Sequence, residues 1–145
     1  YENAFAAIPL LVSFIPMLMD TGGNCGSQSS TLIIRGIALG EIQFSDLFRV
    51  MFKEFRVSLI VGVALALANG IRILIMYKNA GLALVIGLSL VATIVISKLI
   101  GCVLPLIAKK LHMDPAIMAS PLITTLVDTC SILIYFNIAT QVFQL

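Results

Sequence analysis

Charge is the scarcest ingredient of this sequence: Asp, Glu, Lys and Arg together supply 11% of its 145 residues. Soluble domains carry about a quarter, so a water-bathed globule is excluded and a lipid surround is indicated. Tryptophan is absent, and there is one His. The chain therefore lacks the imidazole clusters that hold softer transition metals. Its three cysteines, Cys25, Cys102 and Cys130, are an odd set with no CxxC spacing, each inside an apolar segment. That excludes a disulfide frame or a zinc site and reads as small buried residues. The net charge of +2 says little, and no nucleic-acid partner is expected. With no initiator Met and no signal-peptide pattern, the numbering is expected to begin inside a longer chain.

What is abundant is oil. Hydrophobic residues make up 60% of the chain and the mean hydropathy is +1.11. Inside a bilayer every backbone group must be paired within the protein, which selects helices for long apolar runs. The expected fold is an all-α membrane protein, a helical transmembrane bundle with four crossings near residues 4–35, 57–76, 80–107 and 115–141. An amphipathic surface helix over 45–56 completes it, with Ser45 as N-cap and Leu47, Phe48, Met51, Phe52 and Phe55 at helical spacing. It reads equally as a helix at the headgroups or as a cytosolic amphipathic linker. The turns near 36–56 and 108–114 hold Arg35, Arg49, Lys53, Arg56, Lys109 and Lys110, with Lys98 close by; the middle turn holds Arg72 and Lys78. This bias places the basic turns in the cytoplasm and both chain ends outside a cell membrane crossed several times. Lys98, near the later end of its run, is expected to snorkel to the interface.

Two places break the oil. The first follows Met19 directly. If the helix continues, Asp20, Asn24, Gln28, Thr31 and Arg35 fall on one face. Gly22, Gly26 and Ser30 then form a second stripe where another backbone can come close. The competing reading is a loop at Thr21-Gly22-Gly23-Asn24. The second break is Asp128, roughly fourteen residues or about 21 Å along the last crossing. A bare carboxylate there costs at least ~2.5–3.5 kcal/mol, so it is expected to face a wet cavity, a cation or a partner. Ile117, Pro121, Thr124 and Thr125 share or flank its face. Asp114 lies about 40° from that face in a continuous helix, and before Pro115 it also makes a good N-cap.

Carboxylate, carbonyl and water ligands suit hard divalent cations, and Mg²⁺ keeps several waters and needs few carboxylates. Asp128, Asn24, Thr124 and carbonyls freed near Gly22 and Gly23 could hold a largely hydrated ion. One chain offers half a pore, and a two-fold dimer would bring two copies of Asp128 together. A proton-coupled or cation-coupled carrier of other divalent metals is an alternative, although no internal repeat is evident. An enzymatic rival starts from Asp20-Thr21-Gly22, the tripeptide of aspartic proteases, with Asp128 as the second acid. Those enzymes use it in β-rich soluble lobes, which this composition excludes, so no enzyme is expected.

The stretch Pro16–Gly36, with Met-Asp-Thr-Gly-Gly-Asn-Cys-Gly-Ser-Gln-Ser-Ser-Thr at its heart, resembles the signature of the MgtE magnesium channels and their related animal carriers. Asp114–Asp128 resembles the final helix of the same family. The resemblance implies a homodimeric Mg²⁺-selective channel with the pore between protomers, the chain being one transmembrane pore domain over 1–145. It implies that Asp128 is the pore carboxylate, that Asp20, Gln28, Ile117, Ser120, Pro121 and Thr125 line the route, and that Asp114 sits at the cytoplasmic mouth where gating occurs. It also implies a cytoplasmic regulatory domain and a first crossing that this chain lacks. Asp20 stands where Gly is expected and Ser120 where Asn is common, which adds an outer acid and removes an amide.

Overall fold

The computed structural model describes residues 9–118 and 120–144, with the side chain of Ser120 also outside the described set. The first five residues of the expected crossing over 4–35 fall outside it as well. A single turn, α1 (Pro9–Val12), leads into α2 (Ile15–Ala38). The break between them has a cause: Pro16 has no N–H for the carbonyl of Val12. Tyr135 Oη donates to the neighbouring Leu11 carbonyl at 2.7 Å, tying the break to the last helix.

From Ile15 the helix is uninterrupted to Ala38. The loop reading of Thr21–Asn24 is thereby replaced by a continuous helix, and the carbonyls of Gly22 and Gly23 stay in the helical ladder. The end of α2 is a Schellman turn: Glu41 N–H donates to Gly36 O at 2.9 Å and Gly40 N–H to Ile37 O at 3.1 Å. Gly40 takes φ +73°, which glycine adopts without strain.

The expected surface helix over 45–56 and crossing over 57–76 form one rod. After a 3-10 turn at Phe44–Asp46, α3 runs Leu47–Tyr77 without a break. Ser45 lies inside that turn; the capping contact is the Asp46 carboxylate accepting from Gln43 N–H at 2.9 Å. The rod stays whole because its inner stripe keeps register through Arg56: Val50, Glu54, Ser58 and Gly62 are all buried, one every fourth residue.

Two residues, Lys78 and Asn79, turn the chain into α4 (Ala80–Lys110). Asn79 Oδ1 caps it, accepting from Leu82 N–H at 3.0 Å. The other end of α4 is a second Schellman turn, with Met113 N–H on Ala108 O at 2.9 Å and His112 in the left-handed region. A 3-10 turn, Pro115–Met118, then precedes α5 (Ser120–Phe143). Asp114 is its cap: Oδ1 accepts from Ala116 N–H at 3.0 Å. The expected crossing over 115–141 is therefore a turn plus a helix, and Asp114 and Asp128 do not share one helical stripe.

α4 is the centre, packed against α2, α3 and α5, while α3 rests chiefly on α4. One apolar cluster joins Leu11, Phe14, Leu18, Ile73, Leu82, Ile86, Leu90 and Tyr135 at the end of the Lys78–Asn79 turn. A smaller one joins Ile33, Ile37, Val50, Cys102 and Leu106 at the opposite end. Cys25 and Cys102 are buried and Cys130 is half-buried; all three are free thiols. Between the two clusters the packing depends on missing side chains. A Cβ on Gly22 would stand 2.7 Å from Thr93 Cγ2 and 2.8 Å from Val127 Cγ1, and one on Gly101 would overlap the Gly26 carbonyl. This is the close backbone approach expected of the small-residue stripe.

The outer side of α3 exposes Phe48, Phe52, Ile60, Val63, Leu67, Ile71 and Ile75. Among the described residues three stretches, Phe44–Tyr77, Ala80–Lys110 and Pro115–Phe143, are long and apolar enough to cross a bilayer. The fold is thus helical and of membrane type. α2, with 24 residues or about 36 Å, has the length, but its polar strip keeps it apart from those three on composition.

Candidate functional site

The two stripes of α2 point in different directions. Gly22, Gly26 and Ser30 are buried against α4 and α5, whereas Asp20, Asn24, Gln28, Thr31 and Arg35 are all exposed. Ser30 also anchors the entry to α5, its Oγ donating to the Met118 carbonyl at 2.9 Å.

Where the exposed stripe meets α5 there is a hollow of about 170 Å³, lined by Met19, Asp20, Gly23, Asn24, Thr124 and Asp128. Two carboxylates, an amide and a hydroxyl converge there from two helices. Gly23 makes the convergence possible: a Cβ on it would lie 3.2 Å from Thr124 Cγ2 and 4.0 Å from Asp128 Oδ1. No Lys or Arg pairs with either acid among the described residues. A buried water needs on the order of 10–15 Å³ of such space, so an ion with much of its hydration shell has room.

The residues singled out from the sequence divide into groups. Asp128, Asp20, Asn24, Thr124 and Gly23 are brought together in the hollow. Gly22 is not: it faces Thr93, Val127 and Ser131, and serves packing. Gln28 lies further along the same strip, in a broader depression of about 560 Å³ with Asn24, Ser27, Thr31, Leu32 and Lys98. On α5, the Thr124 and Thr125 hydroxyls both donate to the Pro121 carbonyl, at 3.1 and 2.9 Å, and Pro121 and Thr125 are exposed. Ile117 is 57% exposed in the turn before α5. Asp114, the cap of that turn, lines none of these hollows. Among the described residues no group of three or more His, Cys, Asp or Glu gathers as a direct metal cage.

Lys98 corrects one expectation. Its side chain does not snorkel; it is buried, its Nζ 3.4 Å from Glu54 Oε2 on α3 and donating to Ser29 Oγ of α2 at 3.1 Å. Ser29 Oγ in turn donates to Glu54 Oε2 at 2.6 Å. Glu54 was not singled out by sequence reasoning. The available signal was its four-residue register with Val50, Ser58 and Gly62, which puts an acid on a packing face.

The protease rival also fails on geometry, because Asp20-Thr21-Gly22 is an interior helical turn of α2 and not a strand-connecting loop.

Known proteins resemble this chain over most of its length. The sequence profile of the MgtE family, described as a divalent cation transporter, matches residues 15–138. The magnesium transporter MgtE of Bacillus subtilis is 40% identical over 140 residues, covering 97% of this chain and 31% of the relative. Those of Thermus thermophilus and Enterococcus faecalis are 36% and 34% identical, with 96% and 97% of this chain covered and 31% of each relative. The chain thus spans about a third of the length of the relatives it matches. A family of transporters, and not of enzymes, is what these features describe: the chain belongs to the MgtE family.

Proposed function

We propose that this chain is the pore-bearing part of a Mg²⁺ transporter, in which hydrated Mg²⁺ passes along the exposed strip of α2 and pauses against Asp128. The observation that carries the reading is the hollow between α2 and α5, where Asp20, Asn24, Thr124 and Asp128 meet on the outer surface of the protomer. Lipid cannot cover such a surface, since charged and amide groups within hydrocarbon must face water or a partner. A second copy related by a two-fold axis closes it, turning two half-lined strips into one wet seam. α2 then serves as the fourth crossing, polar because it faces that seam. The relatives' name, magnesium transporter, supports the same cargo.

The residue roles follow from reach and chemistry. Asp128 supplies the charge that replaces part of the distant hydration energy, and Asp20 adds a second charge towards the Lys78–Asn79 end. Asn24 and Thr124 hydrogen-bond the waters of the ion, and Gln28 continues the strip. Ile117, Pro121 and Thr125 line the opposite end, where Asp114 sits at the mouth. The excess of Lys and Arg at that end places it in the cytoplasm and the chain ends outside. There regulatory domains within the relatives' additional length would act. A dication moving down 100 mV gains about 4.6 kcal/mol, twice the single-charge figure, so no coupled reaction is required.

The test is Mg²⁺ uptake into liposomes by the full chain and by Asp128→Asn. The neutral variant should transport at least about tenfold more slowly, a 1.4 kcal/mol change. Equal uptake by both removes Asp128 and this route from the mechanism.

A further inference from the structure

Lys98 is an unexpected residue to find beside a cation route. It stands in the wall of the depression formed by Asn24, Ser27, Gln28, Thr31 and Leu32, which is the continuation of the polar strip. A bare ammonium there would repel every approaching cation, and a dication would feel that potential twice over. Its partner Glu54 lines an adjoining depression of about 320 Å³ with Arg35, Glu41 and Lys53, and Leu32 borders both. Lys98 thus borders the depression of the strip and Glu54 the adjoining one, with the ion pair between them. Both side chains are less than a tenth exposed, and Ser29 bridges them. Burial screens the pair little, so its balance is felt strongly close by. Arg35, Glu41 and Lys53 are exposed, and water screens their fields.

We propose that Glu54 is the counter-ion that cancels the field of Lys98 along the polar strip, and so sets how readily a divalent cation passes it. The inference rests on the reading that this strip is the cation route. Glu54 touches no ion on that route; it acts through Lys98 and is a positioning residue for charge. The pair also explains how a lysine can be kept at this depth, since its remaining role is to bind α2, α3 and α4 through Ser29 and Glu54.

The experiment compares the full chain reconstituted in liposomes with Glu54→Gln, the double variant Glu54→Gln with Lys98→Gln, the swapped pair Glu54→Lys with Lys98→Glu, and Asp128→Asn. The readouts are initial Mg²⁺ uptake at low and high ionic strength and the melting temperature of the purified protein. Glu54→Gln should slow uptake about tenfold at low ionic strength, and added salt should shrink that loss. The neutral double variant should return to within about threefold of wild type, although it too lacks the acid. The swapped pair puts the carboxylate on the strip side and should transport at least as fast as wild type.

Uptake by folded Glu54→Gln equal to wild type overturns the proposal. Equal loss in the single and the double variant also overturns it, because then the hydrogen bond and not the charge matters. Should Glu54→Gln fail to fold, the swapped pair decides, and slower uptake than wild type counts against the idea. Unchanged uptake by Asp128→Asn would fault the route itself. Normal loss there with no effect at Glu54 faults only the present inference.

Discussion

Among the described residues, the apolar helices α3 and α5 each carry one acid, Glu54 and Asp128, and the structure treats them in opposite ways. Glu54 is turned inward between α2, α3 and α4, where Lys98 and Ser29 satisfy it. Asp128 is turned towards a hollow at the edge of α5, with Asp20 and Asn24 opposite and no basic partner among the described residues. The first arrangement closes on itself: its charges cancel inside the chain. The second stays open, and its charge is available to something outside the chain. Placement in a helix of similar hydropathy thus says nothing about an acid's role; the presence of a cation in reach decides it.

The contrast is broken most severely by removing one partner of the closed pair. Lys98→Ala leaves Glu54 buried and uncompensated, which should cost about 3–5 kcal/mol of stability. A fall in melting temperature measures it, and replacing both residues with apolar side chains of similar size should recover most of the loss. If Lys98→Ala melts like wild type, the pair contributes nothing to the fold and the distinction between the two acids is lost.

Next in size is the packing that holds the open site in place. Gly101→Leu drives a side chain into the Gly26 carbonyl, forcing α2 from α4. Overpacking of this kind costs about 1–3 kcal/mol. Because α2 carries half of the hollow, transport should fall with stability in this variant. Asp20→Asn separates the two quantities. Asp20 is exposed and forms no ion pair among the described residues, so the melting temperature should hold while the Mg²⁺ concentration for half-maximal uptake rises about tenfold, or 1.4 kcal/mol. A variant that loses stability but keeps its Mg²⁺ dependence would show Asp20 to be structural.

How much of this was legible beforehand depends on the range over which each feature is encoded. The two stripes of α2 are local, written in spacings of three and four, and both proved to face as the periodicity requires. The hollow was legible in its members, because Asp128, Asn24, Thr124 and Gly23 are the polar or small residues of otherwise apolar helices. Gly22, one position from Gly23, is rotated about 100° around the axis and lies on the packing face that the small-residue stripe marks. The stripe linking Asp114 to Asp128 assumed a continuous helix, and the 3-10 turn at Pro115–Met118 removed that assumption. Glu54 and Lys98 lie 44 residues apart. Nothing local marks either as the other's partner, so Lys98 read as a snorkelling side chain until the helices were packed.

The smallest effect is the most discriminating about what covers the open face. Thr31 is exposed on the polar strip, its hydroxyl donating back to the Ser27 carbonyl at 2.9 Å. Thr31→Val keeps shape and helix and exchanges that hydroxyl for a methyl. The change in stability should be under about 0.5 kcal/mol, the usual range for a surface position; its sign carries the information. If the strip faces lipid, valine is the better solvated residue and the variant melts higher. If a watery seam between two copies covers the strip, valine exposes a methyl to water and removes a polar contact for hydrated ions. The variant then melts slightly lower and transports Mg²⁺ up to about twofold more slowly, a few tenths of a kcal/mol. A higher melting temperature with unchanged transport would place this face against lipid, and the pairing of two protomers along α2 would have to be abandoned.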